Sequence, residues 1–429
     1  MLPEELKKKI HNGGYDEILK RVYGCGEDAT RQGRRLIKLL GEFENRFGNE
    51  HDVMIFSAPG RTEIGGNHTD HQGGRVLAAG VSLDAVAVAA KTGGCTVCVR
   101  SEGFPEDSLS TEGLGKKPEE AGTSKALIRG LCSGFSSRGY HIGGFCAFTA
   151  SDVLAGSGLS SSAAFEVLIG NVINSLFCNN EVPPLEIAKL GQYAENEYFG
   201  KPCGLMDQAA SALGGFSMID FSDPRNPHAE KIPFDFSKCG YRLCMIDTKG
   251  THADLTPDYA AIPAEMKSVA SFFGREVLSK VDENEFYSHI PGVRAAAGDR
   301  AVLRAIHFFA ENKRVTEEAE ALKRNDFQSF LRIVNESGRS SFQYLQNVYS
   351  PTHISEQGVS VALALCERLL SHRGGAWRVH GGGFAGTVQA YVPNDFLPEF
   401  TDKIESVFGK GTCRPLSIRP AGGTPLLFL

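Results

Sequence analysis

The sequence predicts an α+β fold in two main domains. Three observations predict it. Apolar runs that read as strands recur in the first half, at residues 53–56 (VMIF), 76–90 (VLAAGVSLDAVAVAA) and 144–150 (GFCAFTA). Long helical patterns dominate the second half, at 293–313, 315–333 and 356–371. Strands precede and interleave with helices without the strict βαβ alternation of a parallel sheet. A length of 429 residues fits two domains near 200 residues each better than one.

Taken in order, residues 1–47 are charged and helical, with RRLIKLLGEFENRF (34–47) placing apolar positions at helix spacing. Residues 1–50 are therefore expected to be a helical packing extension. The strands at 53–56 and 76–90 flank a glycine-rich polar stretch, 58–74. Residues 102–123 are polar and rich in Gly and Pro, which predicts a loop. The strand at 144–150 feeds a Gly/Ser loop and then a helix. Helices are expected from 183 to about 198 and from 206 to 213, and strands at GGFSMIDF (214–221) and YRLCMID (241–247). The turn cluster FSDPRNPH (221–228) marks the domain boundary, giving an N-terminal domain at 51–221 and a C-terminal domain at 222–429. The segment AWRVHGGGFAGTVQAYV (376–392) reads strand–loop–strand. No internal repeat or low-complexity tract occurs.

Composition excludes several classes. Hydrophobic residues make up 41% and charged residues 22%, an ordinary globular balance, and the net charge is −6. A weakly acidic chain offers no footprint for nucleic acid or anionic membrane, so an anionic substrate must be held by local features. No apolar run approaches the ~18 residues of a membrane span. The start, MLPEELKKKIHNGGYDEI, lacks an apolar h-region, and eleven cysteines, an odd number, lie scattered. Both points suggest reduced thiols and a cytoplasmic location. Cys95 and Cys98 form a C-x-x-C without the second pair of a zinc site, and are expected in a buried strand.

Residues 152–166 (DVLAGSGLSSSAAFE) are the most informative segment. Gly156 and Gly158 permit close backbone approach, Ser160, Ser161 and Ser162 follow, and a helical pattern begins at Ala163. Such a loop entering a helix presents free N–H groups and the positive end of the helix dipole, an anion site. A serine hydroxyl there can also ligate Mg²⁺. The plainer alternative is a flexible connector with a capping serine. No G-x-x-x-x-G-K-[ST] occurs, so this is not a P-loop. Residues 381–386 (GGGFAG) match G-x-G-x-x-G formally, but a strand pattern follows where a dinucleotide fold needs a helix. A plain glycine turn, or one packing against nucleotide phosphates, remains.

Residues 58–74 (APGRTEIGGNHTDHQGG) crowd Arg61, Glu63, Asn67, His68, Thr69, Asp70 and His71 into one stretch. Polyol recognition needs this mixture of donors and acceptors, because each hydroxyl both donates and accepts. Metal binding by His68, Asp70 and His71 fits less well, since the spacing is not that of a zinc helix. In CGLMDQ (203–208), Asp207 opens a helical pattern whose dipole favours its ionised form. Near a hydroxyl it could accept a proton during phosphoryl transfer. Glu195, twelve residues earlier, could hold Mg²⁺; taken singly, either acid could be a cap or a surface charge.

Together these stretches resemble the GHMP kinase family and, within it, its galactokinase branch. GRTEIGGNHTDHQGG resembles the branch signature, LAGSGLSSSAAFE the phosphate-binding motif, GKPCGLMDQAAS the next block, and GAWRVHGGGFAGTVQAYV the third family motif. The matches run in family order from about residue 56 to 392. The resemblance implies an N-terminal domain like ribosomal S5 domain 2, a ferredoxin-like C-terminal domain, and ATP between them. It implies ATP-dependent phosphorylation of a free sugar at C1, with ATP and Mg²⁺ required and a monomer expected. By position, Asp207 matches the probable base and Arg61 the arginine facing it. Ser160 and Glu195 match the Mg²⁺ ligands. Gly156, Ser157, Gly158, Leu159, Ser160, Ser161 and Ser162 match the segment that holds the β- and γ-phosphates. Asn67, His68, Asp70, Gly204 and Tyr259 match sugar contacts. The branch usually reads R-x-N-L-I-G-E-H-T-D-Y; here Glu63, Asn67 and His71 replace its Asn, Glu and Tyr. D-Galactose is the expected substrate. L-Arabinose, which lacks C6, N-acetylgalactosamine, and a non-catalytic sugar sensor are the alternatives.

Overall fold

The computed structural model describes residues 1–24, 29–153, 158–223, 226–250 and 255–426. Seven strands in the first part of the chain build one sheet: β1 (Met54–Gly65), β2 (Arg75–Lys91), β3 (Thr96–Ser101), β4 (Glu106–Ser110), β5 (Phe145–Ser151), β6 (Phe216–Asp220) and β7 (His228–Ile232). Four more, β8 (Tyr241–Asp247), β9 (Ala376–Val379), β10 (Thr387–Pro393) and β11 (Cys413–Leu416), build a second. The short β12 (Thr424–Pro425) then returns to pair with β1. β2 is the spine of the large sheet. It pairs with β1 along one edge, and on the other with β6 through residues 75–79 and β5 through residues 85–91. The second sheet runs β11-β8-β10-β9, all antiparallel, the arrangement of the expected ferredoxin-like unit. The mixed, non-alternating architecture is α+β as the sequence predicts.

Fourteen α-helices are described. α1 (Pro3–His11), α2 (Asp16–Tyr23) and α3 (Ala29–Phe47) cover one face of the large sheet. Leu6, Leu19, Leu36, Leu40 and Phe43 pack there against Ile55, Val86, Val88 and Phe148. The other face is covered by α4 (Ser124–Ser136), α5 (Ser161–Phe177), α6 (Pro184–Tyr193) and α7 (Met206–Leu213). The long crossover from β8 to β9 holds α8 (Thr256–Phe272), α9 (Glu283–Ser288), α10 (Ile290–Ala297), α11 (Asp299–Lys323), α12 (Phe327–Ser340) and α13 (Gly358–Leu370). Of these, α13 packs with α14 (Leu397–Phe408) on one face of the second sheet. Side chains of α11 and α12 fill the space between the sheets, where Ile64, Leu77 and Phe216 meet Leu243 and Tyr391. Burial of these apolar faces is the main stabilising term.

Among the places where the structure differs from the sequence reading, four have a clear local reason. β1 continues past residue 56 to Gly65, because bulges between Pro59 and Arg61 and between Glu63 and Gly65 absorb the proline and glycines. The expected loop at 102–123 contains β4, a short edge strand whose buried apolar residue is Leu109; polar edge strands give little alternation to read. α11 runs through residue 314 to Lys323; Asn325 beyond it is left-handed (φ 57°), and Asp326 then caps α12 by accepting the Ser329 N–H. Cys98 lies on β3, but Cys95 is in the preceding turn, and both are half-buried rather than buried.

Candidate active site

The site forms where the bulged end of β1, the loop entering α5, the start of α7 and the glycine turn between β9 and β10 converge. Gly156 and Ser157 lie outside the described residues. The described exit of that loop is held closely. Leu159 O accepts the Arg61 N–H at 3.1 Å, and Gly158 O accepts from Arg61 Nη1. Gly158 has φ +75°, and a Cβ on it would sit 3.0 Å from Thr387 Oγ1 and 3.2 Å from His380 Nδ1. Glycine is therefore required there, and the second sheet's glycine turn packs against the phosphate loop. Ser160 is left-handed (φ 54°) at the N-cap of α5. The first turn of α5 then leaves its N–H groups free for an anion.

Arg61 and Asp207 form a two-pronged pair, Nε to Oδ1 at 2.6 Å and Nη2 to Oδ2 at 2.8 Å. The Ser160 hydroxyl donates to the same Oδ2. Arg61 is buried, whereas the Asp207 side chain keeps 32% exposure and so can still meet a substrate. Burial opposes the Asp207 charge, but the Arg61 guanidinium and the Ser160 hydroxyl outweigh it and hold the carboxyl below its ordinary range. The bulge before Arg61 turns its side chain off the regular register of β1, toward α7.

Glu195 sits in a π-helical turn, Ala194–Phe199, that follows α6. Such turns recur at functional sites. Its Oε2 accepts from Gln208 Nε2 at 2.9 Å, and its Oε1 lies 3.5 Å from the Ser162 hydroxyl and 3.4 Å from Lys201 Nζ. The structure thus brings Ser162 to Glu195, while Ser160 turns to Asp207. Gln208 Nε2 also donates to Glu166 Oε2 at 2.9 Å. Glu166 is fully buried, and both its Oε1 and Gln208 Oε1 lack a protein partner among the described residues. Burial, reinforced by Glu195, pushes the Glu166 carboxyl well up. Neither Glu166 nor Gln208 was singled out from the sequence. The signal was their place beside the serine run and beside Asp207.

The signature loop is a hydrogen-bonded unit. His68 Nε2 faces Gly382 O at 3.0 Å and so carries its proton there, leaving Nδ1 to accept from His71 Nε2 at 3.3 Å. His71 Nδ1 then accepts from Gln72 Nε2 at 3.4 Å. Asn67 is 1% exposed. Its Nδ2 donates to Glu63 Oε1 at 2.9 Å and Gly381 O at 2.6 Å, and its Oδ1 accepts from Asn347 at 2.7 Å. Its amide is therefore committed to protein groups. Glu63 in turn pairs with Arg378 at 3.2 Å. Tyr259, on α8, donates to Gly383 O at 2.7 Å, and its ring leaves no room for a side chain at Gly382. A Cβ on Gly204 would stand 2.9 Å from Asp70 Oδ2, so Gly204 and Asp70 face each other across the mouth of the site. The roles of Asn347, Arg378 and His380 in this unit were not legible in the sequence, because they come from 280 to 318 residues away.

The buried titratable groups set an acid-stability profile. Burial holds His68 at about 3 and His307 at about 4, with His380 also well below the ordinary 6.5. Unfolding lets these histidines take protons below pH 6.5, so they contribute stability that is lost as pH falls. Burial raises Glu63 to about 7 and pushes Glu166 and Glu318 well above 4.5. These acids take protons in the folded state first, so they contribute in the opposite sense, Glu63 from pH 7 down to 4.5 and Glu166 and Glu318 in the same direction above 4.5. The urea midpoint is therefore expected to change little between pH 6.5 and 4.5 and to fall steeply below 4.5. A steady fall beginning at 6.5 would show that the glutamates do not offset the histidines.

Two family models match the chain: GHMP kinases N terminal domain over residues 125–215, and galactokinase galactose-binding signature over residues 41–91. A galactokinase of Glaesserella parasuis serovar 5 (strain SH0165) is 31% identical over 376 residues, covering 86% of this chain and 93% of the relative. A galactokinase of Staphylococcus carnosus (strain TM300) is 28% identical over 379 residues, covering 87% and 94%. The crystal structure of Lactococcus lactis galactokinase complexed with galactose superposes with TM-score 0.76 at 25% identity, over 91% of this chain and 99% of that one. Methanococcus jannaschii mevalonate kinase shares the fold alone, with TM-score 0.61 at 16% identity over 86% and 98%. With these matches added to the four motifs and the site they build, the chain belongs to the galactokinase family of GHMP kinases.

Proposed function

We propose that the enzyme transfers the γ-phosphoryl group of ATP to the C1 hydroxyl of free D-galactose, giving galactose 1-phosphate and ADP. The observation that carries the reading is Asp207, exposed on one side and bonded on the other to both Arg61 and Ser160, the residue at the N-cap position of α5. A carboxylate held below its ordinary range is a weak base toward an alcohol. Its use is to orient the C1 hydroxyl and take its proton once the new P–O bond has acidified it. The bond from the γ-phosphorus to the ADP oxygen breaks as the bond to the sugar oxygen forms. Arg61 lies beside this path, where a fixed guanidinium stabilises spreading charge.

A divalent cation fits the residues present. Glu195, with the Ser162 hydroxyl beside it, offers the oxygen donors that Mg²⁺ takes, and the buried Glu166 Oε1 and Gln208 Oε1 beside them have no protein partner among the described residues. Bound there with ATP, Mg²⁺ would neutralise phosphate charge. For the sugar we assign His68, Asp70, Gly204 and Tyr259 to the mouth of the site. Asn67 supports it from behind by tying the signature loop to the glycine turn. We place the enzyme in the cytoplasm as a monomer; no helix among the described residues is long and apolar enough to cross a membrane.

The test is ADP release with ATP and Mg²⁺ on D-galactose, L-arabinose, N-acetylgalactosamine and D-glucose, with the product's phosphate located by NMR. Preference for galactose with phosphate on C1 is expected. Better turnover of arabinose would reassign the sugar, and no turnover of any sugar while ATP still binds would reassign the protein as a sensor.

A further inference from the structure

We propose that the N-terminal helices position the entry of the phosphate loop, acting through Arg35 on Asp152. The inference rests on the nucleotide reading above and gives residues 1–47 a part in it.

The contacts converge on one residue of β2. Asp84 is fully buried, and its carboxylate takes hydrogen bonds from Tyr23 of α2, Arg35 of α3, Ser57 of β1 and Arg419 of the C-terminal segment. Tyr23 Oη stands 2.6 Å away and Arg419 Nη1 3.0 Å. The Asp84 carbonyl is shared in the same way. It accepts Arg35 Nη2 at 3.0 Å and the Asp152 N–H at 2.9 Å. Arg35 Nη1 also lies 3.3 Å from Asp152 Oδ2. One guanidinium from α3 therefore spans the buried carboxylate of Asp84 and the carboxylate of Asp152, whose side chain is 38% exposed.

Asp152 is where the phosphate loop leaves β5. The loop's exit is already held by Arg61 through Gly158 O and Leu159 O. Among the described residues its entry has no such arginine from the catalytic side; Arg35 supplies one from the other face of the sheet. An anion loop works by converging several N–H groups on one phosphate, so its two ends must be placed to a fraction of an ångström. A helix serving only to cover apolar surface would need Leu36, Leu39, Leu40 and Phe43, which α3 has. Neutralising Asp84 accounts for part of the Arg35 guanidinium, but Nη1 also lies 3.3 Å from Asp152 at the start of the loop, a contact the buried cluster does not need.

Simple electrostatics makes the opposite prediction, which sharpens the test. An aspartate near a triphosphate repels it, so neutralising Asp152 should by itself tighten ATP binding. If Asp152 serves as the anchor for Arg35, Asp152→Asn should instead weaken it. The experiment is calorimetric titration of the full chain with ATP and Mg²⁺, without sugar, for wild type, Asp152→Asn, Arg35→Met and the double variant. Asp152→Asn leaves the Asp84 cluster intact and should keep its melting temperature, while Arg35→Met will also lose stability. The expected result is a three- to five-fold rise, roughly, in the ATP Kd for Asp152→Asn, matching the worth of one half-exposed ion pair. The double variant should bind no more weakly than Arg35→Met, and the sugar KM should not change. Unchanged or tighter ATP binding by Asp152→Asn overturns the proposal, as does an equal rise in the sugar KM. Loss of ATP affinity as stated, in an enzyme that phosphorylates none of the four sugars, upholds the positioning role while removing the sugar assignment. A wild type that does not bind ATP overturns both.

Discussion

Replacing Asp207 by alanine is expected to lower kcat by about 100- to 10,000-fold, the usual worth of a positioned proton acceptor, while the Kd for ATP changes little. The reason is geometric. Asp207 faces the mouth of the site, whereas the groups left to hold phosphate are the α5 N-terminus, Gly158 and Leu159 with their anchor Arg61. Alanine also strips a buried guanidinium of its two-pronged partner, so Asp207→Asn is the cleaner companion. It preserves shape and removes the charge, while turning one of the two acceptors that face Arg61 into a donor. Both variants should be slowed by a factor of that order in single-turnover assays and should still bind ATP by calorimetry. An Asn variant retaining more than a tenth of wild-type kcat would remove Asp207 from its role. The depressed Asp207 carboxyl adds a pH prediction. Its ionised form is present above the ordinary 3.8 and is lost only below it, so Asp207 should cause no acid limb in kcat between pH 8 and 5.

The largest stability effect is expected at Asp84. Asp84→Ala should cost about 3–5 kcal/mol, because it leaves two arginine side chains facing an uncompensated buried site. Arg419 is fully buried and cannot reach water without moving the C-terminal segment, while Arg35, at 15% exposure, would keep only the half-exposed Asp152 as an acidic partner. Tyr23 and Ser57 lose an acceptor in the same step. The loss should appear as a lowered urea midpoint in an otherwise folded protein. A shift equivalent to less than about 1 kcal/mol, typical of an exposed pair, would show that the cluster is not a keystone. The wild-type cluster also has a pH sense. Burial opposes the Asp84 charge, but Arg35 and Arg419 hold its carboxyl below 3.8. It therefore contributes stability above pH 3.8 that is lost as pH falls through the folded value.

Local chemistry made much of this protein legible in its sequence. A serine run after glycines and before a helical pattern marks an anion site, because free N–H groups and the helix dipole follow from chain direction alone. The crowding of Arg61, His68 and Asp70 among glycines, and Asp207 at a helix start, needed no tertiary knowledge either. Regular helices such as α7 were bounded closely because their period is local. Edge strands β4 and β7 were not, since their pairing comes from neighbours and their side chains are mostly polar.

What the sequence determined by itself is the fold class, the family, and the inventory of polar groups that the candidate site draws on. What only the tertiary structure decided is which of those groups meet. It put Ser162 rather than Ser160 beside Glu195, enclosed the Asn67 amide among Glu63, Gly381 and Asn347, and joined Arg35, Asp84, Asp152 and Arg419 across 384 positions of chain (from 35 to 419). The physical reason is that a helix or a loop is specified by spacings of a few residues. A buried polar group must instead find its partner wherever packing brings one, and no local pattern records that.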